Sequence, residues 1–173
     1  MESKTHFKGT YMGLAFKIKH HFFNAFREIF VHHHGSLNFR AKIFALVIAA
    51  DEDAKVENYI IVKQIALVIY KNDENRANLL MLATKELVAK VRCNNGLYVD
   101  TLVNNIQKEL KIIPRYAKKI DVDSLKPLLQ LSFDEDTISY QNNILEFLQE
   151  LKEETLNTKK KQIVEDEEKY VKQ

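Results

Sequence analysis

The chain has 173 residues, 46% hydrophobic and 29% charged, with four Gly, two Pro, one Cys and no Trp. This composition excludes a collagen, a disulfide-stapled scaffold and a disordered chain, and the length suffices for one core without a metal or disulfide to hold it. The formal net charge of +2 conceals an asymmetry: residues 1–34 hold five Lys or Arg against Glu2 and Glu28, together with all six His.

That first fifth reads as its own region. Phe7, Tyr11, Leu14, Ile18, Phe22, Phe26, Ile29 and Phe30 recur at three- and four-residue steps, which predicts an amphipathic helix from about Thr10 to Val31. Lys8, Lys19, His20 and Arg27 occupy much of its other side. Gly35 is the expected break, and Ser36 or Asn38 the expected cap of the next helix. Phe39, Ile43, Phe44, Leu46, Val47 and Ile48 are apolar on nearly every side, as in the central buried helix of a bundle. A buried strand is the competitor. It fails because Val56, Ile60, Ile61, Ile65, Val68 and Ile69 again follow a period near 3.6, with no hairpin signal between the two stretches.

After the polar connection 71–75, a helix is expected from Asn75 to Arg92, with Leu79, Leu82, Leu87 and Val91 inward, ended by Asn94, Asn95 and Gly96. Another follows with Leu97, Val99, Leu102, Val103, Ile106 and Leu110, and Pro114 stops it. Ser124 and Pro127 suggest a short helix to Leu131 with the proline in its first turns. The last core helix starts near Thr137 and uses Ile138, Ile144, Leu145, Phe147, Leu148 and Leu151. Beyond it, residues 152–173 carry six Lys and six acids, a polyampholyte that reads as an exposed helix or a frayed end. The expectation is an all-α compact bundle of six or seven helices, with an amphipathic N-terminal helix at 1–34, a body at 35–152 and a charged tail at 153–173.

Few residues invite catalysis. Gly is too rare for a phosphate-cradling loop, there is no His-Glu-x-x-His helix, and Cys93 has no cysteine partner for a zinc ribbon. Consecutive helical residues point about 100° apart, so His32, His33 and His34 cannot easily share one ion. No pair of titratable groups has a spacing that argues for acid–base chemistry, and an enzyme is not expected. The acidic corners say more. Asp51-Glu52-Asp53 and Asp134-Glu135-Asp136 each follow an apolar stretch and precede an amphipathic helix, as halves of an internal pseudo-repeat. Acids at a helix start cap free N–H groups, roughly 1 kcal/mol each. The functional alternative is that the corners face one another and hold a divalent cation such as calcium or magnesium, with Asp51, Asp53, Glu57, Asp134 and Asp136 as ligands. An EF-hand is excluded, since Lys55, Val56 and Val62 would stand at its fifth, sixth and twelfth positions.

At Phe39 to Asp51 the sequence resembles the TerB-like family, which comprises tellurium-resistance TerB proteins and the N-terminal cytoplasmic domain of membrane-anchored J-domain co-chaperones. The carriers are the apolar-Ala-Ala-Asp ending Ile48-Ala49-Ala50-Asp51, the acidic turn and the Glu-bearing helix after it. Asp51 and Glu57 match the family's Asp and helix Glu, and Asp134 matches the acidic position of the second half; the likeness covers about residues 37–152. This chain has Glu52 where the family usually has Gly, Glu57 one position early, and Gln141 where a Glu is expected. The resemblance implies an all-helical, non-enzymatic module that binds a divalent cation and works beside the inner membrane or within a stress-related assembly.

Two surfaces are candidates for partners. Phe22, Phe26 and Phe30 could enter a lipid interface while Lys17, Lys19 and Arg27 meet anionic headgroups, or the same stripe could close the core or an interface between copies. A protein partner is therefore expected, with a membrane surface and homo-oligomerisation as alternatives. Nucleic acid is the weakest reading despite a pI near 8.5, because acids balance the bases outside residues 1–34 and no recognition motif is present. One Cys, no leader-like start and an apolar run of only eight residues, Ile43 to Ala50, against the ~20 that cross a bilayer, point to the cytoplasm, with a peripheral place at the inner membrane.

Overall fold

The stretch that is apolar all round forms a buried helix, α1, over residues 35–49. Phe39, Ala41, Ala45, Leu46, Val47 and Ile48 are completely enclosed, and a helix buried on every side must be wrapped by others. The structure, a computed structural model, describes residues 35–53, 55–93 and 97–171, with side chains described as far as Lys169. The chain divides into two units, Met1–Gly35 and Ser36–Gln173, and the fold is that of the second. The expected amphipathic segment 1–34, with Lys17, Lys19, Phe22, Phe26, Arg27 and Phe30, lies outside the described residues.

Around α1 stand α2 (Val56–Ile69), α3 (Glu74–Arg92), α4 (Val99–Ile112), a short 3-10 helix (Pro114–Lys119), α5 (Val122–Leu129) and α6 (Glu135–Val171). Among the described residues there is no strand, and the all-α bundle stands as expected. α2 and α3 pack along one another after a tight turn in which Lys71 and Asn72 take φ of 53° and 65°. The Asn72 N–H donates to the Leu67 carbonyl at 2.8 Å, closing α2. Asp73 then caps α3 by accepting from the Arg76 N–H at 3.0 Å. On the other side α6 packs on the 3-10 helix, α5 and α4.

Polar ties fix α1 within this wrap. Lys42 pairs with Glu109 of α4, and an Arg40 Nη1–H donates to the Lys119 carbonyl at 3.3 Å. The Phe39 ring lies 5.2 Å from that of Tyr116. The Gln141 Nε2–H group of α6 donates to the Val47 carbonyl at 3.1 Å.

Two local expectations are corrected. Ser36 and Asn38 lie inside α1 and do not cap it, because Leu37 and Phe39 beside them are already buried in the helix, while the break expected at Gly35 falls at the edge of the described residues. The short helix starts at Val122, two residues before Ser124, because Asp121 caps it by accepting from the Ser124 N–H at 3.4 Å. Pro127 is then its sixth residue, an interior position where the missing N–H leaves the Asp123 carbonyl without its helical donor. The charged tail continues α6 unbroken, and residues 157–169 are exposed throughout. Among the described residues no helix is long and apolar enough to cross a membrane.

Candidate functional site

Both acidic corners line one cleft of about 500 Å³, with Asp51, Glu52 and Asp53 on one lip and Asp134 and Asp136 on the other. The chain brings them together through a buried polar cluster. Asp51, Asn58, Ser132 and Gln141 are four of the five buried polar residues described, the fifth being Thr84 of α3. Such groups are tolerated in a core only when hydrogen-bonded, so their partners define the architecture here.

Asp51 follows α1 directly. Its Oδ1 accepts from the Asp53 N–H at 2.8 Å, which folds the corner back on itself, and its Oδ2 accepts from the Ser132 hydroxyl at 2.7 Å. An Arg92 Nη2–H at the end of α3 donates to the Asp51 carbonyl at 2.7 Å. The first corner is thus tied to the second by a carboxylate–hydroxyl bond across 81 positions of sequence. Behind Ser132 lies the amide of Gln141, with Oε1 at 3.1 Å from the hydroxyl oxygen and Nε2 directed at α1.

The two corners share a feature that the acidic residues alone do not show. Seven residues after Asp51 comes Asn58, and seven after Asp134 comes Gln141, both essentially fully buried amides. Asn58 Oδ1 accepts from the Lys55 N–H at 2.7 Å, bonding the entry to α2 from its third residue. The Asn58 Nδ2 has no partner among the described residues. These two positions are where the TerB-like pattern leads one to expect Glu, and the helix turns Asn58 inward in place of Glu57.

Of the five expected metal ligands, four meet at the cleft and one does not. Asp51 is buried with both oxygens engaged, while Asp53 and Asp136 are exposed at the lips. Asp134 is the N-cap of α6, its Oδ2 accepting from the Thr137 N–H at 2.8 Å and the Thr137 hydroxyl at 2.9 Å. Those two bonds, the backbone one foremost, hold its carboxyl below the usual carboxylate range. Glu57 is exposed in the first turn of α2 and does not line the cleft. Among the described residues no group of three or more His, Cys, Asp or Glu side chains is arranged to hold a metal ion. Of the five expected ligands, Asp51 engages both carboxylate oxygens within the fold, Asp134 engages one, and Glu57 stands away from the cleft.

Two residues that the sequence reading passed over complete the site. The Lys55 ammonium donates to the Leu131 carbonyl at 3.0 Å and lies 4.2 Å from the centroid of the Phe133 ring. Phe133 is nonetheless 87% exposed, so the rest of its ring faces solvent at the cleft, beside the exposed Tyr140. No protein-family model, curated protein or solved structure matches this chain.

Proposed function

We propose that this chain is a non-enzymatic, TerB-like binding module that takes a lysine- or arginine-rich segment of a protein partner into the cleft between its two acidic corners. The observation that carries the reading is the gathering of five carboxylates and two exposed aromatic rings, Phe133 and Tyr140, around a single cleft with Lys55 as its one lining cation among the described residues. Three of those acids, Glu52, Asp53 and Asp136, are exposed. Carboxylates attract a cationic side chain and steer its approach, and the open side of the Phe133 ring offers a second contact of the kind Lys55 already makes. Adaptor work in the cytoplasm, alone or beside a membrane, is compatible with such a module.

Fluorescence anisotropy with a labelled oligo-lysine peptide and its oligo-glutamate counterpart tests this. The full chain should bind oligo-lysine alone, with affinity that falls steeply as salt is raised. The Asp53→Asn/Asp136→Asn double variant should lose at least tenfold, and Phe133→Ala severalfold. Acids elsewhere on the chain are shared by all the variants, so equal binding by wild type and double variant would remove the cleft from consideration. Saturable, stoichiometric calcium or magnesium binding by calorimetry, abolished in the same double variant, would restore the cation reading in its place.

A further inference from the structure

The exposed part of α6 carries a pattern that its own helix does not use. Residues 159–168 read Lys-Lys-Lys-Gln-Ile-Val-Glu-Asp-Glu-Glu, three cations, a neutral centre and four acids. All ten are exposed, including Ile163 at 47% and Val164 at 53%. Reversing the order about the midpoint between Ile163 and Val164 sets Lys159 against Glu168, Lys160 against Glu167 and Lys161 against Asp166. The segment is its own electrostatic complement when read backwards.

Helical geometry decides which of these charges share a side. Lys159 and Asp166, Lys160 and Glu167, and Lys161 and Glu168 are each seven residues apart, two turns, so both members of a pair share a side of the helix. Lys160 and Glu167 stand at the centre of a face with Ile163 and Val164 between them. Thr155, Thr158, Lys159 and Gln162 line a groove that α6 forms with α4, which places Lys160, Val164 and Glu167 on roughly the opposite side of the helix and Lys159 at the rim between the two. Apart from Lys159, the face is free of that groove. Within the chain, Asp166 meets only Lys169 among the ion pairs described, at 3.6 Å, and such an exposed pair is easily exchanged.

We infer that this face pairs with the same face of a second copy of the chain, antiparallel, about a twofold axis between Ile163 and Val164. Around that axis Ile163 and Val164 meet their own counterparts, Lys160 of each copy faces Glu167 of the other, Lys159 faces Asp166 on one flank, and Lys161 faces Glu168 on the other. A twofold contact requires one patch to be complementary to itself, and the reversed charge order supplies that. A parallel pair in register would set three lysines against three lysines and four acids against four, which opposes it. The contact is short and rich in exposed charge, so it is weak and sensitive to salt.

Sedimentation equilibrium of the full chain tests the pairing with two charge variants, Lys159→Glu/Lys160→Glu/Lys161→Glu and Glu165→Lys/Asp166→Lys/Glu167→Lys/Glu168→Lys. Circular dichroism confirms that each keeps its helix content. Wild type should self-associate more weakly as salt rises, each variant alone should associate at least tenfold more weakly, and an equimolar mixture of the two should form a heterodimer. Direction is read by oxidation in a Cys93→Ser background: Val164→Cys should cross-link and Asn157→Cys should not. Wild type that stays monomeric at several hundred micromolar, variants that associate as wild type does, a mixture without heterodimer, or equal cross-linking at both cysteines would each overturn the proposal.

Discussion

Ser132 has one hydroxyl hydrogen and two acceptors in reach, Asp51 Oδ2 at 2.7 Å and Gln141 Oε1 at 3.1 Å. The shorter contact to a carboxylate takes the hydrogen, and the Gln141 amide is oriented by its bond to Val47. Asp51 and Ser132 therefore act as a unit. Ser132→Ala should destabilise the fold by about 1–3 kcal/mol, because it removes one partner of a buried carboxylate. In a double-mutant cycle with Asp51→Asn, urea melts should show a coupling of about 1 kcal/mol; independent effects would mean that the bond is incidental. Asp134 behaves differently, being exposed and held by Thr137. Its folded pKa is depressed, so its capping contribution is present above the ordinary carboxylate range and is lost as pH falls through the folded value. An NMR titration should find Asp134 titrating below the usual carboxylate range, and Thr137→Val should move it part of the way back up. These residues were unevenly legible. Asp51 and Asp134 stand out as repeated acidic turns, but the buried amides do not. Asn58 and Gln141 become visible only once the seven-residue spacing from each Asp is combined with knowledge of which helix face points inward.

At the scale of elements, helix α1 was legible because it is apolar on nearly every side, a pattern with little solvent face to confuse its period. α2, α3 and α4 stand where their period put them, and Pro114 ended α4 as a residue without an N–H must. Their inward faces differ from the expected ones: α2 buries Asn58, Val62 and Ala66 and exposes Val56, Ile60 and Val68, while α3 buries Leu80, Thr84 and Val88 beside Leu79 and leaves Leu82, Leu87 and Val91 half-buried. Starts were harder to read. The chain offers more cap-type residues than helices need, and packing decides among them: Asp121 displaces Ser124 as the start of α5, and burial of Leu37 draws the start of α1 back past Ser36 and Asn38. The earlier start leaves Pro127 inside α5, where propensity disfavours it. Pro127→Ala restores a donor for the Asp123 carbonyl, while the loss of a rigid residue increases unfolded-chain entropy by up to about 1 kcal/mol in the other direction. The helical term is the larger, so thermal melts should show a net stabilisation of about 1 kcal/mol; a lower midpoint would mean that the half-buried proline ring is needed for packing.

For the second unit as a whole, burial and exposure divide along the sequence near Leu156. Up to that point α6 contributes Ile144, Leu145 and Leu148 to the core, and Thr155 and Leu156 are still half-buried. From residue 157 to Lys169 every residue is exposed and only Thr158, Lys159 and Gln162 border the groove beside α4, so the remaining turns hold their shape mainly through backbone bonds and charge pairs along one helix. A long helix of this kind owes its stability to the packed half, which nucleates it, and gives little back. Removing residues 157–173 should therefore change the unfolding free energy of the body by no more than about 0.5 kcal/mol, as for other exposed positions. The measurement belongs at low protein concentration, since any association through the tail would add stability by mass action in wild type alone. Urea melts followed by circular dichroism should give matching midpoints for the two proteins, with lower helical amplitude in the shortened one. A midpoint that falls by the equivalent of several kcal/mol would show that the last turns of α6 pack against the body and are part of the cooperative unit.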